Sequence, residues 1–256
     1  MASATGIPAT AIIPAEAGED EPLLGRPGGA TQQEGKSMWL NLIIGTAVVA
    51  QAGIILLTIS VWASVFFSDL ILFSAHPLLN STGLLLITQS ILILQPTYTL
   101  DQKRYGTAAH FIINNLGIDA LIAGLIVIEV NKFSHNGTHF ESPHAILGLT
   151  TYIVLAIQAF VGFTQYYTPR LYGGVDNAKS LYKYHRISGY LVLTLLLATV
   201  AAATQTDFNK TTLDIKLWAV LVTAILVLLG VIPRIKKQKL GLKPRAKPTP
   251  IGNLTQ

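Results

Sequence analysis

Long apolar stretches alternate with short polar connectors along most of the chain after residue 38. Each stretch has close to, or more than, the roughly 20 residues that a helix needs to cross the hydrocarbon core of a bilayer. A helix is favoured there because it satisfies its backbone polar groups internally. The pattern predicts an all-α integral membrane protein with six spans, at residues 39–63, 72–95, 107–129, 143–166, 184–206 and 215–233.

The composition supports this class, with 12% charged residues against about 25% in a typical soluble domain. We divide the chain into a disordered leader at 1–37, a six-span domain at 38–234 and a basic tail at 235–256. The leader is unlike a secretory signal, which is basic and then apolar. Its Glu19, followed by Leu23 and Leu24, resembles an acidic dileucine sorting signal. This favours an endomembrane location (endosomal, vacuolar or secretory) over the plasma membrane.

Positive charge is distributed unequally between the two sides of the predicted bundle. Six spans place both termini on one side, and fifteen of the 18 Lys and Arg residues fall on that side. Cytosolic connectors carry the excess of Lys and Arg, so we expect both termini in the cytosol. Glycosylation sequons begin at Asn136 and Asn209, in connectors on the opposite side, where glycosylation takes place.

Four histidines, each near the start of a successive span, are the main candidates for chemistry: His76, His110, His144 and His185. One span plus one connector returns the chain to the other side of the membrane. His76 and His144 therefore share the non-cytosolic side, and His110 and His185 share the cytosolic side. Two imidazoles at one depth on neighbouring helices can bind a haem iron from both faces. We therefore predict two b-type haems in a four-helix core of spans two to five, and such six-coordinate haems transfer single electrons.

Other interpretations of the polar residues stay open. Zinc fits less well, because it needs about four ligands, each pair supplies two, and the chain has no cysteine. A transporter could use the histidines to relay protons or bind a metal, and an anchor subunit of a larger redox complex could use haem b to reduce quinone. His135 and His139 are expected to be solvated loop residues, with presentation of a metal ion at the outer surface as the alternative. Asp119 lies deep in span three, where charge is costly, so we expect it to be protonated or hydrogen-bonded inside the bundle.

The six spans and the placement of the four histidines resemble the cytochrome b561 family of transmembrane electron carriers. The resemblance extends over about residues 40–235 and is greatest for the short subgroup without a fused extracellular domain. Further matching residues are His76-Pro77, Gly148, Gln158, Gly162, Tyr184-His185 and Ser188-Gly189.

This resemblance implies that His76 pairs with His144, and His110 with His185, as axial ligands of the iron in two haem b groups. It implies an oxidoreductase that takes electrons from ascorbate or a similar small reductant in the cytosol. The acceptor on the other side would be monodehydroascorbate or ferric iron. No catalytic acid or base is needed, no nucleic-acid partner is expected, and the resemblance is compatible with a homodimer.

The resemblance also has one departure near the expected donor site. Well-known members carry a lysine three residues before the histidine of span three, where this chain has Thr107. Nearby candidates to contact the donor or the haem propionates are Lys103, Arg104, Tyr105, Lys183 and Arg186.

Overall fold

The computed structural model describes residues 24–241, which contain six long α-helices and no strand. All six are long and apolar enough to cross a membrane. The protein is an integral multi-pass membrane protein, and the prediction of six helical spans is confirmed. The helices are α1 Ala47–Phe66, α2 Ala75–Leu94, α3 Leu100–Ser134, α4 Pro143–Tyr167, α5 Val175–Ala203 and α6 Leu217–Val231.

Helix boundaries follow local capping more closely than hydrophobicity. α3 begins before its predicted span because Thr99 and Gln102 form a capping box, in which Thr99 Oγ1 accepts from the Gln102 amide at 3.2 Å. At α4, Ser142 Oγ accepts from the Ala145 amide at 3.2 Å, and Pro143 occupies the first turn. α1 begins later than predicted, because residues 38–42 form a 3₁₀ turn that α1 does not continue.

Three antiparallel helix pairs build the bundle: α1 with α6, α2 with α3, and α4 with α5. α2 and α5 connect the second and third pairs, and the pair of α1 and α6 packs against α2 and α5. Small residues allow the closest approaches, as is common between membrane helices. A Cβ atom on Gly83 would lie 2.6 Å from Leu121 Cγ, and one on Gly230 would overlap the backbone of Ala50.

The two ends of the bundle differ in charge. We call the end that contains the C-terminal ends of α2, α4 and α6 the basic end. Every Lys and Arg among residues 24–241 lies there except Lys132, Lys210 and Lys216, which lie at the opposite end. The segments that precede α1 and follow α6 meet at the basic end, where the Gly28 amide donates to the Pro233 carbonyl at 2.7 Å.

The segment at residues 24–37 packs against the basic end. The Gln32 amide donates to the Pro96 carbonyl at 3.1 Å, and the Gln32 side chain accepts from Asn41 Nδ2 at 2.9 Å. The prediction of disorder is therefore wrong for this segment, because its polar groups find partners on the helix ends. Residues 1–23, with Glu19 and Leu23 of the sorting pattern, lie outside the described residues, as do residues 242–256 of the basic tail.

Arg234 fixes the C-terminal end of α6 to two other elements. Its side chain is 2% exposed, and it donates to the carbonyls of Ile44 at 2.8 Å, Asn41 at 2.9 Å and Leu92 at 3.0 Å. A buried guanidinium group is costly unless it is hydrogen-bonded. Here the acceptors include the C-terminal end of α2, where the helix dipole is negative. Arg234 therefore stabilises the junction of α1, α2 and α6.

Candidate haem-binding site

His76 and His144 face each other at the opposite end of the bundle, in the first turns of α2 and α4. Their ring centroids are 6.2 Å apart and the ring planes are nearly perpendicular. Nδ1 of His76 lies 2.8 Å from the Gly124 carbonyl oxygen in α3, and Nδ1 of His144 lies 3.0 Å from the Thr199 carbonyl oxygen in α5. A carbonyl only accepts hydrogen bonds, so Nδ1 carries the proton in both rings and Nε2 keeps a free lone pair.

At the basic end, His110 also carries its proton on Nδ1. Three hydrogen bonds that link it with Ser90 and Asn114 hold the ring in this form. Nδ1 donates to the Ser90 carbonyl at 3.0 Å. The Ser90 hydroxyl donates to Asn114 Oδ1 at 2.7 Å, which orients the amide so that Asn114 Nδ2 donates to His110 Nε2 at 2.9 Å. His110 therefore presents a neutral ring whose Nε2 is an acceptor.

His185, the fourth histidine, lies on α5 at the same end of the bundle as His110. Its Nδ1 atom is buried and has no hydrogen-bond partner among the described residues. Gln158 Nε2 donates to the His185 carbonyl at 2.7 Å, and the Ser188 hydroxyl donates to Gln158 Oε1 at 2.5 Å. A Cβ atom on Gly162 would lie 2.6 Å from His185 Cε1, so this glycine leaves room for the ring.

The His76–His144 pair suits a metal whose remaining ligands come from a cofactor. Two metal–imidazole bonds of about 2 Å, added to the two ring radii, give a centroid separation of about 6 Å. The 6.2 Å between His76 and His144 fits that value. Among residues 24–241 there is no group of three or more His, Cys, Asp or Glu residues that could hold a metal ion. A protein-only zinc site is therefore not supported, whereas haem, whose ring supplies four nitrogens, fits.

Several residues around the histidines were missed by the sequence reasoning. Phe73 stacks on His76 with centroids 5.3 Å apart. The Tyr152 hydroxyl lies 2.9 Å from Asn80 Oδ1, and Asn80 Nδ2 donates to the His76 carbonyl at 2.8 Å. A signal for part of this set was present, because an asparagine follows both His76 and His110 by four residues, which places it on the same helix face.

A cluster of cations lies at the basic end, and two of its five members are close in sequence to His110 or His185. We call it the cation cluster; its members interact electrostatically, and they are Lys103, Arg186, Arg234, Lys236 and Lys239. Arg186 donates to the Lys239 carbonyl at 2.8 Å, and Lys239 Nζ donates to the Thr97 carbonyl at 2.9 Å. The last two lysines lie beyond α6 and were not singled out from the sequence.

Two lysines of the cation cluster have strongly shifted protonation equilibria. Burial, followed by repulsion from Lys103 and Arg234, lowers the pKa of Lys236 to about 8. Burial, followed by repulsion from Lys236 and Arg186, lowers the pKa of Lys239 to about 6. An anion bound beside these groups would favour their protonated forms.

The structure therefore brings together only part of the predicted donor contacts. Lys103 and Arg186 belong to the cation cluster. Arg104 and Tyr105 are exposed on the surface of α3. Lys183 Nζ lies 4.9 Å from the centroid of the Tyr184 ring.

Asp119 does not lie inside the bundle. It is exposed on the outer side of α3. The expectation of an interior hydrogen bond is therefore wrong. The reason is rotational: nine residues separate His110 from Asp119, which is two and a half helical turns.

The structure corrects the expectation for one of the two glycosylation sequons in the outer connectors. Asn209 is 6% exposed, and its Nδ2 donates to the carbonyls of Thr204 and Ile215, both at 3.0 Å. Its sequon is therefore not accessible in the folded chain, whereas Asn136 is exposed. His139 pairs with Glu129 at 2.9 Å, and no metal-binding group of three such residues surrounds it in the described part.

The fold and the site define a class: an integral membrane bundle with two histidines near each end. Comparison with protein families gives a match over residues 75–212, which run from the start of α2 past the end of α5. The matched family is eukaryotic cytochrome b561, and this chain belongs to it. Membership implies haem b binding and transmembrane electron transfer of the oxidoreductase type. Neither the curated proteins nor the solved structures contain a significant match to this chain.

Proposed function

We propose that this protein carries electrons across an endomembrane, from ascorbate or a similar cytosolic reductant to monodehydroascorbate or ferric iron on the other side. His76 with His144, and His110 with His185, hold two haem b groups. Haem b held by these imidazoles would supply reversible one-electron transfer. The basic end faces the cytosol, in agreement with the excess of Lys and Arg there.

The fixed orientation of the imidazoles is the observation that carries this proposal. Three of the four histidines direct Nδ1 at a main-chain carbonyl, those of Gly124, Ser90 and Thr199. A hydrogen bond at Nδ1 orients the ring and raises the basicity of Nε2, the atom that would bind the metal. In His110 the Asn114 amide would have to release that atom first. Histidines that only mark a membrane boundary need no such support, so this arrangement favours ligation.

The cation cluster supports an anionic molecule or group at the basic end. Arg186 directly follows the ligand His185 in sequence, and it donates to the segment that contains Lys236 and Lys239. Several cations held this close raise the free energy of the folded chain unless negative charge compensates them. Haem propionates and an ascorbate-like donor both provide negative charge. The cluster therefore suits the cytosolic entry of electrons.

The test is haem quantitation in the purified protein, combined with a reduced-minus-oxidised spectrum recorded with ascorbate. We expect two haem b groups per chain in the wild type and reduction by ascorbate. His76→Ala and His185→Ala should each retain about one haem, because each removes a ligand of a different pair. His135→Ala is the matched control, since its exposed ring donates to the Asn131 carbonyl of its own helix, and it should retain two.

Each rival predicts a different result. A colourless wild-type protein from haem-replete cells would contradict the proposal and favour a histidine-dependent transporter. Pigmented protein that ascorbate does not reduce, and that co-purifies with a soluble redox subunit, would favour the quinone-linked anchor. Equal haem content in His76→Ala, His185→Ala and wild type would show that these residues are not ligands.

A further inference from the structure

The side chain of Tyr152 packs against the interior of the bundle, about two helical turns after His144 on α4. Its hydroxyl oxygen lies 2.9 Å from Asn80 Oδ1 in α2 and 2.7 Å from the Leu121 carbonyl oxygen in α3. Both of these oxygens only accept hydrogen bonds, so Tyr152 is the donor and shares one proton between them. One hydroxyl group therefore connects α4 to the two helices that fix the ring of His76.

The side-chain amide of Asn80 is held in one orientation. Its Oδ1 atom accepts from Tyr152 and from no other group among residues 24–241. Its Nδ2 atom donates to the His76 carbonyl at 2.8 Å and lies 3.3 Å from His76 Nδ1. Gly124 leaves the space for this amide, because a Cβ atom there would overlap Asn80 Nδ2. The N–H end of the amide therefore faces the imidazole ring, and the oxygen faces the phenol.

The end of the amide that faces His76 affects the electrostatic surroundings of the ring. Nδ1 of His76 donates its proton to the Gly124 carbonyl, so the N–H end of Asn80 adds partial positive charge beside it. Positive charge next to an axial ligand disfavours oxidised iron, which carries one more positive charge than reduced iron. The reversed amide would instead place Oδ1 beside the Nδ1–H group, increase the basicity of the ligand and favour oxidised iron. These effects are larger in a bundle interior than in water, because the local dielectric constant is low.

We propose that Tyr152 is a positioning residue that acts through Asn80. By binding Oδ1, it keeps the N–H end of the amide on His76 and raises the midpoint potential of the haem that His76 and His144 would hold, which we call the outer haem. This inference rests on the proposed function, because it requires a haem at that pair. The separation of 6.2 Å between the two ring centroids is compatible with one.

The direction of this effect suits the proposed route of electrons. Electrons at equilibrium favour the centre of higher potential, so a raised potential increases the fraction of electrons that reside on the outer haem. That haem is the one nearer to the acceptor side of the membrane. Tyr152 would therefore favour transfer away from the cytosol without contacting donor, acceptor or iron.

Removal of one hydroxyl group tests this role. Tyr152→Phe keeps the aromatic ring but leaves Asn80 Oδ1 without its donor, so the amide is no longer held in one orientation. We expect haem content to stay at two per chain. The equilibrium constant for reduction of one haem should fall by about threefold to tenfold, where tenfold corresponds to about 59 mV for one electron. A redox titration of the purified protein, followed by absorbance, measures both potentials.

The haem that responds can be identified in variants that retain one haem. In the His185→Ala background, which should keep the outer haem, Tyr152→Phe should lower the potential by the same factor as in the full protein. In the His76→Ala background, which should keep the other haem, it should change nothing. A shift confined to the His76→Ala background would overturn the proposal.

Tyr190→Phe is the matched control. Tyr190 is half-buried like Tyr152, and its hydroxyl also binds a side-chain amide, since it accepts from Gln95 Nε2 at 3.2 Å at the basic end. Its removal should leave the potential of the outer haem unchanged. An equal fall of that potential in both variants would indicate a general response to the loss of an interior hydroxyl group and would contradict a specific role for Tyr152.

A double-mutant cycle distinguishes positioning from a general loosening of the bundle. Asn80→Leu removes the amide and should lower the potential of the outer haem. Tyr152→Phe added to Asn80→Leu should then have no further effect, because the group through which the phenol acts is absent. Additive shifts would show that Tyr152 acts independently of Asn80, and the proposal would be wrong.

The remaining outcomes separate this inference from the proposed function. An unchanged or raised potential in Tyr152→Phe, with wild-type haem content, would contradict this inference alone. Loss of the outer haem from Tyr152→Phe would show that the hydroxyl group is needed for binding and not for tuning. A colourless wild-type protein would overturn the proposed function and this inference together.

Discussion

The positions of the histidine rings depend on small neighbours as much as on hydrogen bonds. Gly162 in α4 leaves the space that the His185 ring occupies, and Gln158 one turn earlier binds the His185 carbonyl. Gly148 also lies on α4, but a Cβ atom there would meet only Thr199 Cγ2, at an ordinary 3.6 Å. The two glycines therefore differ in what a methyl group would displace.

We expect Gly162→Ala to lose the haem of the basic end, because the new methyl group would lie 2.6 Å from His185 Cε1 and displace the ring. Haem per chain should fall from two to about one in pigment quantitation, and the remaining spectrum should be that of the other site. Gly148→Ala is the control and should retain both. Full haem content in Gly162→Ala would show that the ring has room to move.

The four histidines could be recognised from the sequence, but their partners could not. Gly124 is 48 residues from His76, and Thr199 is 55 residues from His144. A main-chain carbonyl has no residue-specific signal, so only the packing of helices identifies it as an acceptor. The asparagines four residues after His76 and His110 were the one local sign of the surrounding hydrogen bonds.

At the scale of elements, the segment after α6 is more than a basic tail. Residues 235–241 lie over the end of α2, where Lys236 and Lys239 donate to the carbonyls of Pro96 and Thr97. Buried lysines with lowered pKa values lose charge near neutral pH, so this element can respond to an anion and to pH. The sequence showed its charge but not its burial, which depends on contacts with the residues that follow α2.

The affinity for an anionic donor should depend on the proton of Lys239. Its pKa is lowered to about 6, so it loses its positive charge as the pH rises from 6 to 8. An anion prefers the protonated form, and the apparent KM for ascorbate should rise over this range, by at most about tenfold per pH unit. We expect Lys239→Met to have a higher KM at pH 6 and a flatter profile.

Lys237→Met is the matched control for this measurement, because Lys237 is exposed two residues earlier on the same segment. It should keep the wild-type pH profile. If Lys239→Met also kept that profile, the donor would bind elsewhere on the basic end. Steady-state reduction of the purified protein by ascorbate at several pH values provides the data.

The whole molecule is organised by an even number of spans. The even number places both ends of the helical domain together and brings His76 to the depth of His144, far from the depth of His110. The exposed sequon at Asn136 and the buried one at Asn209 lie at the same end of this bundle. Glycosylation at these two sites tests both the orientation of the protein and its folding, because only an accessible sequon on the lumenal side can carry a glycan.

We expect Asn136→Gln expressed in a eukaryotic cell to remove a glycan, seen as increased gel mobility that endoglycosidase treatment of the wild type reproduces. Asn209→Gln should not change the mobility, because Asn209 Nδ2 is buried and donates to two carbonyls. Absence of a glycan on both would remove the support that the sequons give to the orientation. A glycan on Asn209 would show that this connector opens before or after folding.

The sequence by itself determined the class of the protein. Apolar stretches of membrane-crossing length permit little except helices, and alternation across the bilayer fixes which histidines share a side. Charge asymmetry indicated the orientation in the same way, because it depends only on which connectors carry Lys and Arg. Each of these features can be read from the spans and connectors in order along the chain, without knowing how the helices pack.

Only the tertiary structure decided how the spans are rotated and what their side chains meet. Rotation about the helix axis placed Asp119 outside the bundle, although its depth suggested an interior role. Packing of distant segments buried Arg234 and Lys236, and it placed residues 24–37 on the basic end. Depth follows from counting residues along a helix, whereas rotation and burial depend on contacts between helices that are distant in the sequence.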